Sequence, residues 1–249
     1  MLTLLRSLVN IMGLFNIFVY IQSKNIRLKE NPLSIFISFG VEYLLRMNKF
    51  EVIFDTETKS FFDETTGYDA SKLGVSITSV YSRTLDENLN EIEGSMKSFW
   101  EKDFPEMFKL FEKADRIIGF NSIGFDVPAL SPYLPGHWPK LKHFDILAEI
   151  KKIEGKRMSL DSLAKQTLGT KKNDNGANAI KYWNAGDPES LAKLKKYCEM
   201  DVVITRDIYD HAIKNGVLKY IDFWNETHEI KLDFSYPKED LSNLQSSLF

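Results

Sequence analysis

Two acids stand two residues apart in Asp55-Thr56-Glu57-Thr58, directly after the apolar run at 49–54. Side chains alternate across a strand, so at a strand end both carboxylates project from one face. Paired carboxylates suit joint capture of a hard divalent cation, because Mg²⁺ takes oxygen ligands. Solvated acids at a strand end are also common, so the pair gains meaning only from what converges on it. Two further segments supply candidates. The run Gly119-Phe120-Asn121-Ser122-Ile123-Gly124-Phe125-Asp126 follows a short predicted strand and opens a helix. The run Tyr197-Cys198-Glu199-Met200-Asp201 lies in a long predicted helix, where i, i+4 spacing sets phenol and carboxylate on one face.

The elements that must position these residues follow from periodicity. Residues 49–54 and 116–120 read as buried strands, and 73–83 alternates Val75, Ile77 and Val80 with Ser and Thr as a third would. Residues 100–114 place Phe104, Met107, Phe108 and Phe111 at helical spacing with Pro105 in the first turn. Asp126 and Pro128 suit a helix start, and 144–153 and 159–168 read as helices, the second between Ser159 and Gly169. Residues 171–186 read as a polar loop. Residues 188–215 form a long helix with Leu191, Leu194, Cys198, Val202, Thr205 and Ile208 on one stripe, stopped by Gly216. Strands first and helices packed after them predict a mixed α/β sheet flanked by helices.

In the order Asp55, Glu57, Asp126 and Asp201, the four acids make the sequence similar to the ribonuclease-H-like DEDD 3′-to-5′ exonucleases over roughly residues 48–215. One branch of that superfamily carries histidine five residues before the last aspartate; the other carries tyrosine four before it. Here those positions are Lys196 and Tyr197, which resembles the tyrosine branch. Phe144-Asp145-Ile146, the run at 159–169 and Tyr197-Cys198 resemble proofreading exonuclease domains and bacterial ribonuclease-H-like nucleases.

The resemblance implies an α/β ribonuclease-H-like fold and metal-dependent 3′-to-5′ hydrolysis of phosphodiester bonds, of single-stranded DNA first and of a repair or proofreading type, with two Mg²⁺ or Mn²⁺ ions. It implies that Asp55 bridges the ions, that Glu57 and Asp201 complete one site, that Asp126 serves the other, and that Tyr197 orients the attacking water. A phenol of ordinary pKa near 10 is better suited to orienting than to acting as a free base. It further implies that Thr56, Thr58, Asn121 and Phe125 touch the terminal nucleotide of a single-stranded DNA or RNA 3′ end, although each is equally explained by packing or loop stabilisation. Asp145 reads as a helix cap rather than a fifth ligand. Lys171 and Lys172 read as a solvated loop, and Trp138, Tyr182 and Trp183 as core or pocket wall; His211 has no assigned role. An RNA-processing exonuclease and a non-catalytic nucleic-acid or clamp-binding module are the alternatives.

The last residues, Gln245-Ser246-Ser247-Leu248-Phe249, resemble the bacterial sliding-clamp-binding pentapeptide, whose Gln, Leu and Phe correspond to Gln245, Leu248 and Phe249. At the other end the composition changes. Residues 1–46 carry five basic and two acidic side chains and contain 17 uncharged residues between Arg6 and Lys24, only the lower limit for a membrane span. Asn10, Gly13 and Asn16 weaken a span further, so a start mis-set ahead of Met47 stands beside a membrane anchor and an interfacial helix. The expected organisation is this leader at 1–46, an exonuclease domain at 47–235 and a flexible tail at 236–249. A formal charge of −3 over 249 residues argues against coating nucleic acid by bulk electrostatics, and a single cysteine, Cys198, cannot close an intrachain disulfide. A cytoplasmic setting is expected.

Overall fold

The computed structural model describes residues 48–133, 141–170 and 176–236. Five strands, β1 (Lys49–Thr58), β2 (Val75–Leu85), β3 (Glu91–Trp100), β4 (Arg116–Gly119) and β5 (His143–Asp145), form one sheet in the order β3-β2-β1-β4-β5. β1 and β4 pair in parallel with Ile53 opposite Ile118, and β4 and β5 in parallel with Gly119 opposite Asp145. The helices are α1 (Phe104–Lys113), α2 (Asp126–Leu130), α3 (Ile146–Glu154), α4 (Leu160–Leu168), α5 (Gly176–Ala185) and α6 (Pro188–Asn215). An antiparallel hairpin, β6 (Val217–Ile221) and β7 (Thr227–Lys231), follows α6. The predicted mixed sheet flanked by helices is the observed architecture.

Period-two alternation along the central strands builds two cores. Val52, Phe54 and Ile117 pack with Phe104, Met107, Phe108 and Phe111 of α1 and with Ala129 and Leu130 of α2. Ile53 and Ile118, one residue out of phase, pack on the opposite face with Ile146 and Ile150 of α3, Leu163 of α4 and Val202 and Ile208 of α6. β1 is therefore buried on both faces, and each fully buried Ile or Phe contributes about 1.5–3 kcal/mol. The helix ends fall where their caps stand. Asp187 accepts from the Glu189 and Ser190 amides to start α6, and Ser159 accepts from Ser162 N to start α4. Left-handed Gly216 and Gly169 end them.

Contacts divide the chain into a unit of Phe50–Arg83 with Glu93–Phe249, which carries the site below, and a unit of Met1–Lys49 with Thr84–Ile92. Of the latter, the described turn is closed by Asp86, whose Oδ1 accepts from the Asn88 and Asn90 amides.

Several elements differ from the sequence reading. Residues 176–185, read as loop, form α5, because burial of Ala179 and Ile180, the first packed with Ile77 and Leu194, outweighs a polar local composition. Phe144 and Asp145, read as helix, are the end of β5; a three-residue strand survives because β4 supplies its partner. β3 is mostly exposed, so it has no alternation to read. The β6–β7 hairpin was not expected either. β1 also runs four residues beyond the predicted strand, to Thr58, and so includes both acids.

Residues 1–46, Trp138, Lys171, Lys172 and the pentapeptide at 245–249 lie outside the described residues. Among the described residues, no helix is long and apolar enough to cross a membrane.

Candidate active site

The odd-numbered face of β1 turns toward α6. Carboxylate oxygens of Asp55, Glu57 and Asp201 lie within 4.8 Å of one another. Asp201 is 4% exposed, whereas Asp55 and Glu57 are half-buried at the mouth. Beneath them the Cys198 thiol donates to the Asp55 backbone oxygen at 3.3 Å. Burial, then the charges of Asp55 and Glu57, push that thiol well above its ordinary pKa, so it is an inert packing group. Tyr197, one turn before Asp201, is 7% exposed and hydrogen-bonds to Asp201. Its phenol is held well above the ordinary range by burial, then by Asp201, Glu57 and Asp55, and stays protonated.

The even-numbered face of β1 holds the fourth acid. Asp126, at the start of α2, is hydrogen-bonded by the Thr56 amide and hydroxyl. Burial raises its pKa well above the carboxylate range, those bonds oppose the shift, and the Asp145 charge adds to it. Its Oδ1 is buried with no hydrogen-bond partner among the described residues. A buried carboxylate oxygen without a partner is costly. Together with three further carboxylates converging on the same strand end, this donor set fits hard divalent cations.

The loop between β4 and α2 is braced from below. Asp145 caps α3 by accepting from Ala148 N, and its two oxygens also accept from the Asn121 and Ile123 amides at 2.9 Å. Asn121 takes a left-handed conformation at φ 62°, which asparagine tolerates better than most residues. Gly119 is required by close approach, since a Cβ there would lie 2.5 Å from Ser122 Cβ.

Two clefts meet at Asp55, Phe120 and Asn121. One, of about 310 Å³, is walled by Phe61, Phe62, Phe125, Asp126 and Ile180; the other, of about 500 Å³, by Leu147, Arg157, Met158 and Asp201. The structure thus brings Asp55, Glu57, Asp126, Tyr197 and Asp201 to one strand end, with Asn121 and Phe125 on the cleft wall. The Thr56 and Thr58 side chains turn inward, at 4% and 6% exposure. Their hydroxyls meet Thr78 and the Ser60 carbonyl. Trp183 stacks on Trp100 in a third apolar cluster that includes Tyr197, so it packs as core against α6.

Arg157 escaped the sequence reading. It sits in the α3–α4 loop, where no periodicity marks it, and donates to Asn121 Oδ1 at 3.0 Å, placing a cation on the cleft rim. Phe61 and Phe62 were also missed; adjacent phenylalanines in a turn-rich segment were the available signal. A second group that could ligate metal, Asp222, Glu226 and His228, lies at the β6–β7 turn. There Asp222 accepts from the Trp224 and Glu226 amides and pairs with His228, as a turn requires.

A sheet of order 3-2-1-4-5, with carboxylates gathered at the carboxyl end of its central strand, defines a ribonuclease-H-like α/β domain. Comparison of the sequence with family models agrees: the model described as the RNase_H superfamily matches residues 52–213, and the chain belongs to that superfamily. Among solved structures, a family B DNA polymerase from the hyperthermophilic archaeon Pyrobaculum calidifontis matches at 20% identity and a TM-score of 0.49. The match covers 66% of this chain and 24% of the polymerase, so the chain spans about a quarter of that protein's length. No curated protein matches the chain.

Proposed function

We propose that the protein is a metal-dependent 3′-to-5′ exonuclease of the DEDD type, tyrosine branch, acting on single-stranded nucleic acid, DNA before RNA. The observation that carries this reading is the convergence of Asp55, Glu57 and Asp201 within 4.8 Å beside a protonated Tyr197, with the unpartnered Asp126 oxygen across the same strand end. Membership of the RNase H superfamily supports nuclease chemistry in general.

Asp55, Glu57 and Asp201 would hold one Mg²⁺ or Mn²⁺, and Asp55 with Asp126 a second. The chemistry the ions supply is activation of water and stabilisation of charge on the leaving oxygen. The protein's own groups do the rest. With the Asp201 carboxylate taken up by a cation, the Tyr197 hydroxyl that donates to it here would be released to donate to the attacking water and fix its direction; held above the ordinary phenol range, it does not take the proton. Arg157 meets the phosphate on the rim, as a charge-assisted donor suited to a planar, bidentate contact. Asn121, held by Asp145 and touching Arg157, and Phe125 on the cleft wall define where the terminal nucleotide sits. Thr56 and Thr58 contribute through backbone groups. The exonuclease domain is taken to span 47–235.

The test is one assay of DNA and RNA strands labelled at the 5′ end, single-stranded and duplex, with Mn²⁺ or Mg²⁺ and then with chelator. A ladder shortening from the 3′ end, abolished by chelator and by Asp55→Ala, is expected. Full activity of Asp55→Ala sinks the site assignment. Sliding-clamp recruitment through Gln245, Leu248 and Phe249 is tested separately, by loss of clamp pull-down when residues 245–249 are deleted.

A further inference from the structure

Between β1 and β2 the chain makes a loop that carries three large aromatic side chains, all exposed. Phe61 is 56% exposed, Phe62 41% and Tyr68 98%. Single exposed apolar residues are ordinary, but a contiguous set beside a cleft marks a contact surface. These rings form a row. Phe125, on the cleft wall, meets Phe62 edge-on at a centroid distance of 6.2 Å, and Phe62 meets Tyr68 at 6.1 Å. The row begins in the cleft that contains Asp55, Glu57 and Asp126 and leads outward from it.

The loop is tied, not loose. Its neck is closed by Lys59 N donating to Gly74 O at 3.0 Å and by Ser60 Oγ donating to Leu73 O at 3.1 Å. Within it, Asp63 Oδ1 accepts from the Thr65 and Thr66 amides, and left-handed Gly67 returns its amide to Asp63 O. Asp69 caps the short turn at Ala70–Lys72. The two aspartates are thereby committed to backbone and hydroxyl groups. What the loop presents outward is ring surface, with the exposed Glu64 carboxylate between Phe62 and Tyr68 in the chain and little basic charge. That is chemistry for planar, uncharged groups rather than for phosphates.

We propose that Phe62 and Tyr68, continuing the row begun by Phe125, form a stacking subsite for the nucleobases lying upstream of the 3′-terminal nucleotide in a single strand. The inference rests on the nuclease reading of the adjacent cleft and extends it to substrate length. A duplex buries its base faces in its own stack, so the subsite favours unpaired strands; every base has a π-face, so it is indifferent to sequence. Phosphate contact remains with Arg157 on the other cleft.

The experiment compares the intact protein with Tyr68→Ala, Phe62→Ala and Tyr68→Trp. Binding of oligothymidylates of two, four, six and ten nucleotides is followed by fluorescence anisotropy in Ca²⁺, and KM and kcat for their hydrolysis are measured in Mn²⁺. Tyr68→Ala and Phe62→Ala are expected to weaken binding of the six- and ten-nucleotide strands by about 5- to 150-fold, the span of one stacked base. The loss should be smaller for the dinucleotide and should fall on KM rather than kcat. Tyr68→Trp should restore affinity. A six-nucleotide strand abasic at the second and third positions from its 3′ end should bind the unaltered protein as weakly as the intact strand binds the alanine variants. Affinities unchanged within twofold in both alanine variants overturn the inference, as does failure of the unaltered protein to bind any strand. If ring-dependent binding is observed but no strand is hydrolysed in Mn²⁺, the nuclease reading fails and the stacking subsite stands.

Discussion

Replacing Asp201 by asparagine should make the metal-free protein more stable and the metal-loaded protein inactive. Asp201 is 4% exposed and shares a space of 4.8 Å with the carboxylates of Asp55 and Glu57. At an effective dielectric constant of about 20, two unit charges 4.8 Å apart repel by about 3.5 kcal/mol, and neither pair lies farther apart than that. Solvent at the half-exposed mouth screens this, so the expected net gain is about 1–2 kcal/mol, the usual return from relieving a strained functional site. For a domain of this size that is about 2–8 °C in melting temperature. Asparagine keeps the size of the side chain and an acceptor for the hydrogen bond with Tyr197, so packing around α6 is preserved.

Addition of Mn²⁺ at a hundred times its dissociation constant should stabilise the unaltered protein by about 2.7 kcal/mol and the variant much less. Melting curves of both proteins, in chelator and in Mn²⁺, should therefore cross: the variant melts higher without metal and lower with it. A variant that melts below the unaltered protein in chelator, or gains as much from Mn²⁺, would falsify the reasoning that these three carboxylates form one electrostatically strained cation site.

The other expectations concern the supports of that site. Tyr197→Phe should lower kcat by about 10²-fold or more by removing the donor to the water, while the Mn²⁺-induced rise in melting temperature is retained; an equal loss of both would make Tyr197 structural. Gly119→Ala puts a Cβ 2.5 Å from Ser122 Cβ, and overpacking of this kind costs about 1–3 kcal/mol, read as a lower urea midpoint together with lost activity. An unchanged midpoint would show that the loop after β4 yields easily.

Burial lowers the pKa of His143 to about 4, partly opposed by Asp145. Unfolded chains bind this proton at an ordinary pKa of about 6.5, so stability from this residue is fully present above that value and declines as pH falls toward 4. The difference in urea midpoint between the unaltered protein and His143→Phe should change across that window and be flat above it.

How much of this was readable beforehand depends on the range of the interactions involved. α6 was legible from end to end because each signal is local: Asp187 with Pro188 at the start, a 3.6-residue stripe along its length, and Gly216 at the end. The alternation of β1 was equally local, and it fixed that Asp55 and Glu57 share a face. α5 was illegible because its stability comes from burying Ala179 in a cluster with residues distant in sequence, Ile77 and Leu194 among them. β5 was illegible because three residues make a strand only where β4 lies alongside. The Asp145 cap was read correctly, but its grip on Asn121 and Ile123 spans 24 and 22 residues and has no local trace.

The sequence by itself determined which groups were available: the order of four acids, the phenol four residues before the last of them, and the strand and helix that carry three of the acids. Spacing of two on a strand and four on a helix is enforced by backbone geometry, so those pairings need no tertiary information. Only the tertiary structure decided that Asp201 comes within 4.8 Å of Asp55 and Glu57, that Asp126 keeps a buried oxygen without a partner, and that Arg157 reaches Asn121. It also decided that Phe62 and Tyr68 line up with Phe125. Those relations join residues tens to more than a hundred positions apart. They are set by how the two apolar faces of one central sheet bury themselves, which no local pattern encodes.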